Sequence, residues 1–74
     1  MVVQVRLFAT LRENRFKNKE LEFPEASSLA DLLQHLHIAA KEVGILLQNG
    51  RHASAESKLA PNDVVSVFPA IGGG

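Results

Sequence analysis

The segment "VVQVRLF" alternates: Val3, Val5 and Leu7 fall on one side, and Gln4, Arg6 and Phe8 on the other. This period of two predicts a half-buried strand. In the following "ATLREN", Thr10 and Glu13 stand at the spacing of a capping box and predict one short helical turn. "KELEFPE" alternates again, with Leu21 and Phe23 inward and Glu20 and Glu22 outward, until Pro24, which has no N–H for a ladder, ends it. The period then changes. In "SSLADLLQHLH" the residues Leu29, Leu32, Leu33 and Leu36 follow the i, i+3, i+4, i+7 stripe of an α-helix. Ser28 is placed to cap the free amides at its start, and Asp31 in the first turn suits the helix dipole. His35 and His37 mark the helix end, and "IAAKEVG" reads as a second short turn.

Further along, Asn49-Gly50 lies between extended segments, and both residues tolerate the positive φ of a type I′ hairpin turn. A strand over 45–48, a tight reversal and a short return follow from it. A turn at Pro61-Asn62-Asp63 leads to a last strand in which Val65 and Val67 oppose Ser66 and Phe68, and Pro69 stops it. The first and last strands are separated by a helical crossover, so side-by-side parallel pairing centres them in the sheet and leaves the hairpins at its edges. The expected class is α+β: a mixed sheet of four to five strands with one main helix packed on one face, the β-grasp arrangement. Periodicity alone is compatible with several small α+β folds, of which this is one.

The length of 74 residues fits a single small domain, near the lower limit at which one apolar core offsets chain entropy. We expect a β-grasp domain over residues 1–69 and a flexible glycine tail over residues 70–74. The 46% hydrophobic and 22% charged content is that of a globular chain. Eight Lys plus Arg balance eight Asp plus Glu, so no net field favours nucleic acid or an anionic membrane. Arg12, Arg15, Lys17 and Lys19 are interleaved with Glu13 and Glu20, which reads as a solvated loop. With no cysteine there is no disulfide, thiolate metal site or thiol nucleophile in this sequence. No stretch approaches the roughly 20 apolar residues of a membrane span, and "MVVQVRLF" lacks the pattern of a signal peptide. A cytoplasmic location is expected.

Few side chains offer chemistry. His35 and His37 are two apart on the helix and His52 lies beyond the hairpin turn, so no metal-binding spacing results. No nucleophile elbow surrounds a serine, and the final glycines precede neither a helix nor a Lys, as a phosphate-binding loop would require. Two features remain. By strand parity, Phe8 and Phe68 face away from the helix on neighbouring strands, an aromatic pair that serves either as a partner-binding surface or as cross-strand packing. The other is the ending "VFPAIGGG". Beyond Pro69, "AIGGG" can reach about 16 Å at full extension, with no Cβ on its glycines to clash in a narrow channel. A carboxylate at Gly74, activated as an acyl-adenylate by attack on the α-phosphate of ATP, becomes open to sulfide, persulfide or amine. The bland alternatives are a flexible end or a chain that continues further.

The stretches "VRLFATLRE", "VGILLQNGR" and "LAPNDVVSVFPAIGG", in this order, resemble the ubiquitin-like sulfur carriers of the MoaD/ThiS family over nearly the whole chain. "FATLRE" leans toward the MoaD side, the small subunit of molybdopterin synthase. The resemblance implies that Gly74 is adenylated and converted to a thiocarboxylate, with Gly73 as the penultimate glycine that threads an active site. It implies partner contacts by Phe8, Phe68, Pro69, Ile71 and Gly72. No cofactor or metal would be bound, and ATP would be used by the activating partner. The implied partners are an E1-like adenylyltransferase (MoeB/ThiF-like) and a large synthase subunit (MoaE-like) or another sulfur acceptor. The chain would then donate sulfur rather than catalyse alone. Alternatives are a ThiS-like carrier for thiamine or another thiolated product, and a ubiquitin-like protein modifier. Two departures stand out: three glycines where the family ends in two, and Ala70 where many relatives have a second proline, which would loosen the tail.

Overall fold

Val3, Val5 and Leu7 are fully buried along strand β1 (Val2–Leu7), and Val65 and Val67 are fully buried along β5 (Val64–Pro69). The two strands run parallel with Val5 opposite Val65 and Leu7 opposite Val67, so their inward positions form one continuous apolar floor. The computed structural model describes residues 1–70. Strand β2 (Asn18–Glu22) pairs antiparallel with β1, with Leu21 opposite Val3. On the other side β3 (Val43–Gln48) pairs antiparallel with β5 and with the short β4 (Arg51–His52). The resulting sheet has the order β2-β1-β5-β3-β4. With one helix laid on one face, this is the β-grasp fold, with the first and last strands central as the chain pattern requires.

Helix α1 (Leu29–His35) covers the floor with Leu29, Leu32 and Leu33. Its start is closed reciprocally: the Asp31 N–H donates to Ser28 Oγ at 3.2 Å, and the Ser28 N–H donates to Asp31 Oδ2 at 2.9 Å. Its end is built from elsewhere. His37 takes a left-handed φ of 59°, and Arg15 spreads its guanidinium over three carbonyls, donating to Leu36 O at 3.1 Å, His37 O at 3.1 Å and Leu11 O at 3.2 Å. A cation on the last carbonyls of a helix also opposes their partial negative charge. Among the described residues no helix is long and apolar enough to cross a membrane.

Three local expectations are corrected. The turn after β1 is a 3-10 helix, Ala9–Arg12, whose N-cap is Phe8 with no side-chain cap, so Thr10 and Glu13 form no capping box. The turn starts two residues earlier than that spacing requires, at Phe8, whose N–H is held by Val67 O at 3.2 Å, and this puts Thr10 inside the turn. Arg12 and Arg15 are half-buried donors to backbone carbonyls, not members of a solvated loop. Strand β3 begins at Val43 rather than 45, hidden by a register shift between Val43 and Ile45. Strand β5 ends at Pro69, opposite Val43, as the proline predicts.

The reversal at Asn49-Gly50 has φ of 54° and 83°, positive at both positions as a type I′ turn demands. Beside it the buried Asp63 carboxylate ties three segments together. It accepts from Gln48 Nε2 at 2.7 Å, Asn49 Nδ2 at 2.9 Å and the Ala60 N–H at 2.8 Å. Burial pushes the Asp63 carboxyl up, but the bonds from Asn49, Gln48 and Ala60 outweigh that and hold it below its ordinary value of 3.8. Asn49 completes the knot: its Oδ1 accepts the Val64 N–H at 2.9 Å.

Candidate functional site

Parity puts Phe8 and Phe68 on the sheet face away from α1, and the structure brings their rings together there. The centroids are 4.1 Å apart and the planes 10° from parallel. Both rings are half-buried. The Arg12 guanidinium lies 5.4 Å from the Phe8 ring centre, its Nε donating to Leu7 O at 2.7 Å. On the other flank Ile45, opposite Phe68 across the β3–β5 pair, is 43% exposed and the most exposed large apolar side chain in the described chain. Ile45 on β3, Phe68 on β5 and Phe8 just past the end of β1 thus form an apolar strip, closed at one end by a cation. Ile45 was not singled out from sequence. Leu46 in the core fixes the parity that would have exposed it.

The strip ends where β5 does. Past Pro69, the Ala70 N–H donates to Glu42 O at 2.8 Å, so Ala70 is tied to the body where loosening was expected of it. Against the other flank of Pro69 and Ala70 lies an open cleft of about 770 Å³, walled by Arg15, His37 and Lys41 among others. Of the expected partner-contacting residues, Phe8, Phe68 and Pro69 therefore converge at one corner of the sheet. Ile71, Gly72, Gly73 and Gly74 lie outside the described residues.

The histidines do not converge. His35 meets the edge of Phe23, with centroids 5.4 Å apart, and His52 sits on β4 opposite Leu47. Among the described residues no group of three or more His, Asp or Glu is placed to hold a metal ion, and every buried side-chain N or O atom has a hydrogen-bond partner. The buried polar groups of the described residues are occupied in holding the body together, as Asp63 shows. What it offers outward is an apolar strip beside the root of its C-terminal segment.

The sequence profile of the ThiS family matches residues 5–74. The chain belongs to the ThiS family. Other comparisons agree on its shape. It is similar to molybdopterin converting factor subunit 1 from Pyrococcus furiosus, with 27% identity and a TM-score of 0.80 over 96% of this chain and 99% of that one. A complex of subunits 1 and 2 of the molybdopterin-converting factor from Helicobacter pylori contains a chain with 25% identity and a TM-score of 0.64, with 100% of each chain covered. SAMP1 from Haloferax volcanii matches with a TM-score of 0.77 at 21% identity and full coverage of both chains, a likeness of fold. No curated protein matches the chain in sequence. As a ThiS family member with MoaD-like structural neighbours, the chain has the ubiquitin-like body of that group, and the aromatic strip and the tail root are its features to explain.

Proposed function

We propose that this protein is a sulfur carrier whose working group is the main-chain carboxylate of Gly74. The observation that carries the reading is the ThiS family match, which runs through the final glycines. The chemistry has two steps. A carboxylate oxygen attacks the α-phosphate of ATP in an E1-like adenylyltransferase, forming an acyl-adenylate and releasing pyrophosphate. Sulfide or a persulfide sulfur then attacks the acyl carbon, and AMP leaves with the former carboxylate oxygen. With sulfide the product is a thiocarboxylate directly; with a persulfide the product is an acyl disulfide, and attack of a thiol on its outer sulfur releases the thiocarboxylate and leaves a disulfide. The side chains of the body take no part in either step. Their role is docking, through the strip of Ile45, Phe68 and Phe8 next to the exit of the tail.

The acceptor we favour is a precursor pterin held by a MoaE-like large subunit, which makes the chain the sulfur-donating small subunit of a molybdopterin synthase. Support comes from a neighbour named as molybdopterin converting factor subunit 1 and from a second neighbour that is a chain of a complex of subunits 1 and 2 of that factor. Incubation with a MoeB/ThiF-like enzyme, ATP and sulfide is expected to replace one oxygen of the chain by sulfur, and removal of Gly74 to abolish the exchange. The thiocarboxylated chain should then convert precursor pterin with a large subunit and remain unspent with a thiazole synthase. The opposite outcome assigns it to the thiamine branch. Lysine conjugates bearing its terminal glycines would instead mark it as a modifier.

A further inference from the structure

Two glycines of the body are glycine for different reasons. Gly50 has a φ of 83° and open space where a Cβ would stand, so its requirement is torsional. Gly44 is the opposite case: among the described residues Gly50 is the glycine with positive φ, yet a Cβ on Gly44 would lie 2.6 Å from Pro69 O, 2.9 Å from Ala70 Cα and 3.0 Å from Pro69 C. All three contacts are backbone, so no side-chain rotation relieves them. Gly44 is also the residue passed over in the register, where Val43 faces Pro69 and Ile45 faces Phe68. An extra residue bends its own strand and increases the local twist of the pair. Here the paired chain is the root of the C-terminal segment.

The second constraint comes from the side. Ala70 donates to Glu42 O, and Glu42 is itself fixed: its Oε2 accepts the Ala39 N–H at 2.8 Å, and its N–H donates to Ala39 O at 2.9 Å. That turn follows the end of α1, where Arg15 holds the Leu36 and His37 carbonyls. The direction in which the backbone leaves Ala70 is thereby referred to the helix and the core. We propose that Gly44 is a positioning residue: its missing side chain is a notch that lets Pro69–Ala70 lie flush on β3 and reach Glu42, aiming the terminal segment before any partner is met. The functional half of this rests on the sulfur-carrier reading. With its root held in one direction, less of the chain remains to be ordered when a partner engages it, so the notch acts on engagement rather than on the chemical step.

The test compares Gly44→Ala with wild type, and uses Gly50→Ala as a variant that strains the hairpin without touching Pro69 or Ala70. Amide exchange in Gly44→Ala should accelerate at Ala70 by about tenfold or more while Val67 stays close to wild type, as expected of a local opening. With an E1-like enzyme, ATP and sulfide, its KM for the carrier should rise about fivefold or more with kcat nearly unchanged, the pattern of lost binding rather than lost chemistry. Gly50→Ala should lose stability yet keep both Ala70 protection and KM. Unchanged Ala70 exchange in Gly44→Ala, or losses spread equally over both variants, overturns the proposal. If wild type gains no sulfur, the carrier reading falls, and the Ala70 exchange still decides the notch.

Discussion

The two ends of β5 are held in opposite ways. At its start, Asp63 gathers Gln48, Asn49 and Ala60 onto one buried carboxylate, and Asn49 returns a bond to the Val64 N–H. At its finish no such side-chain knot exists among the described residues: Pro69 pairs with Val43 and packs on a glycine, and the Ala70 N–H donates to Glu42 O, next to the half-buried stack of Phe8 and Phe68. The difference separates two tasks that one strand must perform. The start fixes the hairpin, the turn and the sheet register, so it is closed and satisfied. On the proposed function the finish presents a docking surface and the root of the reactive segment, and its groups are apolar or main-chain. Stability and presentation should therefore respond to different substitutions.

Breaking the start should have the largest effect on stability. Asp63→Ala leaves Gln48, Asn49 and the Ala60 N–H without their shared acceptor and is expected to cost about 3 kcal/mol, measured by urea unfolding. Binding to a large subunit or activating enzyme, at temperatures where the variant is folded, should stay close to wild type. A loss below about 0.5 kcal/mol would mean that water replaces the carboxylate freely.

Acid probes the same end. The Asp63 carboxyl is held below its ordinary value in the folded chain, so its contribution is fully present above the unfolded value of 3.8 and is lost as pH falls through the lower folded value. Stability of the wild type should accordingly decline below pH 3.8 with a component that Asp63→Asn lacks. Equal slopes for the two proteins in thermal unfolding across that range would remove Asp63 from the account.

The finish should behave in reverse. Phe8→Ala and Phe68→Ala are each expected to cost little stability, with a coupling between the rings of about 1 kcal/mol in a double-mutant cycle. Their effect on partner affinity should be larger, about tenfold or more each by titration calorimetry, as for aromatic anchors at an interface centre. If both variants bind as wild type does, the stacked pair is sheet packing and the strip serves no partner.

How much of this could be read from the chain follows from how local each feature is. The inward rows of β1 and β5, the stripe of α1 and the Ser28–Asp31 cap are written at spacings of two to four residues, and the parallel central pair follows from them by connectivity. Parity alone also found the Phe8–Phe68 pair. Three features were not legible. Gly44 breaks the alternation that would reveal β3, because one extra residue shifts the phase of every residue before it. Arg15 reaches carbonyls 21 and 22 positions away, and Asp63 draws donors 14 and 15 positions away, so neither partner set exists until the fold does. Arg15, expected in a solvated loop, and Asp63, expected only as part of a turn, both serve as fastenings. The terminal glycines were the reverse, conspicuous in sequence and outside the described residues.

The central claim is that the main chain at Gly74 is the reactive group of this protein. It is tested most directly by the intact mass of the chain after incubation with an E1-like adenylyltransferase, ATP and sulfide. The account predicts a species in which one oxygen has been exchanged for one sulfur, absent when ATP is omitted and absent when Gly74 is deleted. Recovery of the free acid alone from the complete mixture, with an activating enzyme shown to turn over a known carrier, would contradict it.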